Sequence, residues 1–317
     1  MELSNEILRG NISALAKGIT LVESTLLSDQ KKAQQLLKEC SKKDRITLRI
    51  GITGSPGVGK STFIETFGEL LTKKGKKVAV LAIDPSSEKT KGSILGDKSR
   101  MNKLSSNKNA FIRPSPSSGT LGGVTNKTRD SILLCEAAGF DTILIETVGV
   151  GQSETTVSNL VDVFLLLMLA GSGDELQGIK RGIMEVADAI AITKADGDNI
   201  QKAKKAALEY KNAIHLFPPM ENGWIPQVTT CSAVENIGIS QILENIEKFN
   251  RLVISNGWKE KNRIKQSKFW LHLFIKEEFG NQKYNNLLSE GKIKLMEEEL
   301  LTGKKIYQLI NSVNELK

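Results

Sequence analysis

RITLRIGITGSPGVGKSTF, residues 45–63, is the stretch that decides the fold of this 317-residue chain. Within it Gly54-Ser55-Pro56-Gly57-Val58-Gly59-Lys60-Ser61 matches the P-loop pattern G-x-x-x-x-G-K-[ST] in full, with Thr62 directly after it. Its glycines let the backbone wrap a phosphate so that several N–H groups point at it. Lys60 can place a charge on the β and γ phosphates, and the Ser61 hydroxyl can hold Mg²⁺. ITLRIGIT (46–53) reads as a buried strand, and STFIETFGELLTKKG reads as a helix ending at Gly75. That helix aims its positive end at the same phosphates. A chance glycine turn would lack this order of strand, loop and helix.

Outward from the loop, apolar runs alternate with segments of helix length. VAVLAID (78–84), FDTILIET (140–147), VFLLLMLA (163–170), ADAIAITKAD (187–196) and QVTTCSA (227–233) are such runs. Runs that are apolar on both faces predict an α/β fold with a mostly parallel sheet flanked by helices. In such a sheet ligands gather at the carboxyl ends of the strands. The P-loop, Asp84, Glu146, Thr193–Asp196 and Ser232-Ala233 all fall at those ends. Residues 1–45 carry apolar groups at helical spacing and predict an N-terminal helical extension. The expected division is that extension, a P-loop domain over 46–245, and a C-terminal helical region over 246–317.

Each group at the sheet edge has a chemical role open to it. Glu146, in ETVG, stands where NTPases carry an acid that binds Mg²⁺ directly or through water, and the Gly149 N–H can reach a γ-phosphate. Asp84, in IDPSS, can orient an attacking water or hold the water shell of the metal. The loop SSEKTKGSILGDKSRM adds Asp97 as a further metal-side candidate, and its Gly and Ser content suits a segment ordered by nucleotide.

Thr193-Lys194-Ala195-Asp196 resembles the N-K-x-D element of guanine-specific proteins. Asp196 can accept two hydrogen bonds, from the guanine ring N–H and the exocyclic amino group, and adenine lacks that pair. Lys194 can lay its stem over the base. Thr193 stands in place of Asn, which removes an amide able to bridge loops. Ser232 and Ala233 match the later loop, whose Ala233 N–H can meet the guanine carbonyl.

Composition narrows the class. Apolar residues make up 39% and charged residues 25%, which suits a globular protein. The net charge of +8 raises a nucleic-acid reading. The lysines instead fall in stretches such as QKAKKAALEYK that read as solvated helix, with few interleaved aromatics, so no nucleic-acid partner is expected. The longest apolar run, Val161–Ala170, contains Asp162 and is far too short to cross a bilayer, so no membrane partner is expected either. MELSNEILRG has no basic segment followed by an apolar one, and Cys40, Cys135 and Cys231 form no C-x-x-C pair. Both features predict a cytoplasmic protein.

Taken together, GSPGVGKS, AIDPSS, GSILGDKSRM, FIRPSPSSGTLGGV, ILIETVGVGQSE, AGSGDELQGIKRGIME, ITKAD and TTCSA occur in the order of the MeaB/ArgK family. The chain resembles these P-loop GTPases of the SIMIBI class over roughly residues 5–280. The resemblance implies GTP/GDP binding with Mg²⁺ and slow intrinsic hydrolysis that a partner stimulates. That partner is an adenosylcobalamin-dependent acyl-CoA mutase, by default methylmalonyl-CoA mutase, whose cofactor loading and protection the GTPase gates. It further implies a homodimer paired partly through the terminal helical regions. GSGDELQGIKR (171–181) matches a mobile family loop, in which Lys180 and Arg181 can supply positive charge to the transition state.

The chain departs from the family at Thr193, at Lys91 before GSILGD, and at Ser55, where some dimeric relatives carry an extra lysine. Gln152, three residues after Gly149, is not assigned to the attacking water. Two alternatives stay open on sequence. One is an ATP-dependent kinase or ATPase linked to arginine and ornithine transport, against which Asp196 argues. The other is a metal-insertion GTPase, which needs thiolate and imidazole ligands, whereas this chain has only His215 and His272 and no paired cysteines.

Overall fold

The computed structural model describes residues 2–42, 46–84, 101–116, 121–147, 157–170 and 181–309. Its contacts divide the chain into two compact units. One comprises residues 47–119 and 140–259, and the other comprises residues 1–46, 120–139 and 260–317.

The first unit is built on a seven-stranded sheet. Its strands are β1 (Leu48–Gly54), β2 (Val78–Asp84), β3 (Ala110–Pro116), β4 (Thr142–Glu146), β5 (Val163–Leu169), β6 (Ala189–Thr193) and β7 (Gln227–Thr230). They lie in the order β3-β2-β4-β1-β5-β6-β7, and every pairing is parallel. β1 sits between β4 and β5, where the direction of chain travel across the sheet reverses, and this is where open α/β sheets bind ligands.

One strand escaped the reading of apolar runs. β3, AFIRPSP, contains Pro114 and Pro116, which cannot donate to a ladder. It pairs with β2 alone at the sheet edge, and an edge is the place in a sheet that tolerates proline.

The helices Lys60–Lys73 and Ile239–Ser255 share one apolar cluster with the sheet. Phe63, Ile64 and Phe67 from the first join Ile242, Leu243, Ile246 and Phe249 from the second, over Ile50, Ile52, Val78 and Val80. Phe63 and Phe67 stack at 5.3 Å, and each is fully buried, a burial that contributes roughly 2–3 kcal/mol per ring. Ala189 and Ala191 enter this cluster, whereas Ile190 and Ile192, just as buried, lie outside it. That alternation is the period-2 signature of a strand covered on both faces.

The amino edge of the same sheet binds its own charges internally. The Asp162 carboxylate, ahead of β5, accepts from the Arg49 N–H at 3.0 Å and pairs with Lys259 at 3.5 Å. Lys259 Nζ also donates to Asn250 Oδ1 at 3.0 Å and Thr47 O at 3.3 Å. Asp188, ahead of β6, accepts from the Phe164 N–H at 2.8 Å. Burial pushes its carboxyl up to about 7; the Phe164 bond opposes this and the nearby Asp162 charge adds to it.

The second unit is helical, with Glu2–Leu8, Ile12–Glu23, Leu27–Cys40, Leu121–Ala138 and Lys292–Leu301 among its elements. Asn11 caps the second of these by accepting from the Ala14 N–H at 3.1 Å. Helix Trp258–Ser289, most of which belongs here, is kinked at Gly280 (φ 75°, ψ 168°). The Arg129 guanidinium lies 5.8 Å from the centre of the Trp270 ring and 5.2 Å from that of Tyr307, and bonds to Asp130 at 3.0 Å. Burial works against its charge, but Tyr307 and Asp130 outweigh burial and raise the Arg129 pKa.

Candidate functional site

The site is built from the ends of β1, β4, β6 and β7. β1 ends on Gly54, whose φ of 151° and tight approach to Leu167 O exclude any side chain. Gly57 (φ 79°) and Gly59 (φ 96°) then turn the loop, and a Cβ added at either would meet nothing within 4 Å. The loop therefore offers open backbone to a ligand, while Val58 is fully buried beneath it. Gly59 starts the helix in the left-handed conformation, and Phe63 N donates to its carbonyl at 2.9 Å. An anion in the loop faces that helix N-terminus. Lys60 Nζ lies over the loop, 2.8 Å from Gly54 O and 3.3 Å from Ser55 O.

β4 pairs with β1 so that Glu146 lies level with Ile52. This brings the Glu146 carboxylate, 9% exposed, onto the P-loop helix, where the Ser61 hydroxyl donates to Oε1 at 3.0 Å. A hydroxyl oxygen and a carboxylate converging here fit Mg²⁺, which takes few protein ligands and completes its shell with water and phosphate. Just beyond, the buried Thr147 hydroxyl donates to Thr53 Oγ1 at 2.8 Å, so the residues after β4 and before the P-loop are fastened together. Asp84 closes β2 two residues past Ala82, the register partner of Glu146. The side chains of Asp84 and Arg181, and the whole of Asp97, Gly149 and Lys180, lie outside the described residues.

β6 ends on Thr193, and the chain turns through Lys194 at φ 54°. The turn is held by Asn199 Nδ2 donating to Lys194 O at 2.7 Å and by Ala195 N donating to Cys231 O at 3.0 Å. Asp196 then meets the second loop, where Ser232 Oγ donates to its Oδ2. Ser232 is fully buried and also accepts from Glu235 N at 3.1 Å, so the carboxylate is aimed by a side chain that is itself fixed. Lys194 is exposed.

The structure corrects one expectation here. Thr193 does not lose the bridge between loops that Asn would make. Its hydroxyl reaches Val58 O in the P-loop at 2.8 Å and Met168 O at 3.2 Å, because a threonine at a strand end is already close enough to need no longer side chain. Thr66 was not foreseen at all. It lies on the P-loop helix and reaches Ala233 O at 3.0 Å, and no sequence spacing marks that contact.

Among the described residues no group of three or more His, Cys, Asp and Glu gathers into a metal cluster. Cys40, Cys135 and Cys231 are buried, and burial pushes the Cys40 and Cys231 thiols up to about 12 and raises Cys135 as well. No helix among the described residues is long and apolar enough to cross a membrane.

Comparison with known proteins gives a consistent picture. The family described as "Methylmalonyl Co-A mutase-associated GTPase MeaB" matches residues 15–287. A probable GTPase of Mycobacterium tuberculosis is 48% identical over 284 residues, covering 90% of this chain and 84% of the relative. The GTPase ArgK of Escherichia coli is 48% identical over 291 residues, covering 89% and 88%. The mitochondrial methylmalonic aciduria type A homolog of Mus musculus is 45% identical over 307 residues, covering 94% and 74%. Among solved structures, that of a LAO/AO transport system kinase superposes with a TM-score of 0.77 at 39% identity, covering 95% of this chain and 97% of that one.

Proposed function

This chain belongs to the MeaB family of methylmalonyl-CoA mutase-associated GTPases, and from that premise we propose that it is a GTP-driven chaperone of an adenosylcobalamin-dependent acyl-CoA mutase. It is a GTPase with the P-loop fold of that family. The observation that carries the proposal is the family match over residues 15–287, which takes in the whole nucleotide site. The mouse relative, named for methylmalonic aciduria, supports methylmalonyl-CoA mutase as the client.

In this reading the triphosphate lies in the loop Gly54–Thr62, under the Lys60 charge and the helix N-terminus. Ser61 and Glu146 would hold Mg²⁺, assisted by Asp84 and Asp97, and the ion would supply positive charge to the phosphates. Asp84 also orients the attacking water, Gly149 donates to the γ-phosphate, and Lys180 and Arg181 bring positive charge to the transition state. Asp196, aimed by Ser232, reads the guanine edge, with Lys194 over the ring and the Ala233 N–H on the carbonyl. Hydrolysis then gates delivery of adenosylcobalamin to the mutase and its protection there. Residues 246–317 contribute to pairing of two copies.

The name of the 39%-identical structure favours a second reading, an ATP-using kinase of amino-acid transport. Steady-state turnover of GTP and ATP, with and without a purified acyl-CoA mutase, tests both. GTP-selective turnover that rises on adding the mutase is expected. Turnover of GTP indifferent to methylmalonyl-CoA mutase and its relatives would remove the chaperone role, and a preference for ATP would favour the kinase.

A further inference from the structure

The phosphate-holding and base-reading halves of the site are joined by two side-chain hydrogen bonds. Thr193 Oγ1, at the end of β6, donates to Val58 O at 2.8 Å across a sequence separation of 135 residues. Thr66 Oγ1, on the helix that begins at Lys60, lies 3.0 Å from Ala233 O across 167 residues and 3.2 Å from Thr62 O in its own helix. Val58 directly precedes Gly59, and Thr66 lies five residues past Ser61 on the helix that the P-loop opens, so both ties end on the P-loop and its helix. The base-side ends are as closely placed. Thr193 precedes Lys194 by one residue, and the carbonyl that Thr66 holds belongs to Ala233, whose N–H the proposed function gives to the guanine carbonyl.

We propose that Thr193 and Thr66 are positioning residues that carry the identity of the base to the phosphate loop. The inference rests on reading Asp196 as the group that selects guanine. A guanine held between Asp196 and the Ala233 N–H fixes the 193–196 and 231–235 segments against one another. These segments are already tied through Ala195 N to Cys231 O, at 3.0 Å, and through Ser232 to Asp196. Each segment has its own bond to the P-loop side, so ordering them also fixes Val58 O and the first turns of the helix. A base that Asp196 cannot grip leaves both segments, and hence the loop carbonyl, less constrained. Thr193 is 5% exposed, so water does not replace its bond when the hydroxyl is removed.

The test is kcat and KM for GTP and for ATP, measured on the full chain carrying Thr193→Val, Thr193→Ser, Thr66→Val or Asp196→Asn. Thr193→Val is expected to lower kcat/KM for GTP by about tenfold, the loss of one buried hydrogen bond, with ATP changed by less than about twofold. The preference for GTP therefore narrows, and Thr193→Ser restores it. Thr66→Val narrows it by about threefold, since that threonine is only half-buried. Combined with Asp196→Asn, Thr193→Val is expected to add less than about twofold, because two residues acting along one route are not additive. Equal losses for GTP and ATP, or no loss for either, overturn the coupling and leave Thr193 a purely structural contact. If Asp196→Asn alone leaves the preference intact, Asp196 is not the reader and the inference falls with that reading, an outcome distinct from the equal losses that would overturn the coupling alone.

Discussion

The two edges of the sheet use buried polar groups in opposite ways. At the amino edge, Asp162, Asp188, Lys259 and Thr47 bond to one another's segments and to strand N–H groups, and the contacts are closed by the fold itself. At the carboxyl edge, Lys60 reaches the loop carbonyl of Gly54, Ser61 meets Glu146, and Ser232 meets Asp196, so these groups gather around the P-loop and the two turns that the proposal gives to phosphate, metal and base. Carboxylates, a lysine and a hydroxyl residue are present at both edges. What differs is the backbone around them: regular strand starts at one edge, and at the other a glycine loop and turns with positive φ at Gly57, Gly59 and Lys194. At the amino edge the partners of the buried carboxylates come from the fold itself, whereas the interrupted backbone of the carboxyl edge leaves room for a ligand.

Substitutions at the two edges should therefore separate activity from stability. The largest effect is expected at Lys60→Ala, with GTP turnover falling by at least about a hundredfold while thermal unfolding shifts little. Asp196→Asn comes next. It should lower kcat/KM for GTP by about a hundredfold and raise that for xanthosine triphosphate, whose ring carbonyl suits an amide donor. At the opposite edge, Lys259→Met should leave KM for GTP unchanged yet lower stability by about 3 kcal/mol in urea unfolding, since the Asp162 carboxylate stays buried without its cation. A change in KM there would break the contrast between the edges.

The smallest effect is a slope with pH. The Asp188 carboxyl is raised from an ordinary value of about 3.9 to about 7 in the folded chain. The folded state then binds the proton more tightly than the unfolded one. This group's contribution is fully present below about pH 4 and is lost as pH rises through about 7. Asp188→Asn keeps an acceptor for the Phe164 N–H and removes the titration. Its stability relative to the parent should therefore improve between pH 5 and pH 7.5, as read by urea midpoints at each pH. A parallel pH dependence in parent and variant would exclude Asp188 as its source.

Much of the carboxyl edge was legible in the sequence because its signals are local. GSPGVGKS and TKAD each fit within eight residues, and a strand buried on both faces shows itself as an apolar run such as FLLLML. β3 was missed because its prolines imitate a loop, and only its place at the sheet edge makes them harmless. The amino edge was not legible. Asp162 and Lys259 are far apart in the chain, and nothing in either local sequence predicts the other. The grouping of residues 120–139 with the terminal helices in one compact unit was equally invisible, since those residues lie between two strands of the other.

The sequence by itself determined the GTPase class and the parallel sheet, and marked the groups proposed to face the nucleotide, because backbone conformation and short motifs depend on neighbours within a turn or a strand. The tertiary structure alone decided which of those groups are joined. Thr193 to Val58 and Thr66 to Ala233 are single hydrogen bonds made across 135 and 167 residues. Such a bond exists only once the sheet has set its strand order, and a threonine that will make one reads the same in sequence as a threonine that will not.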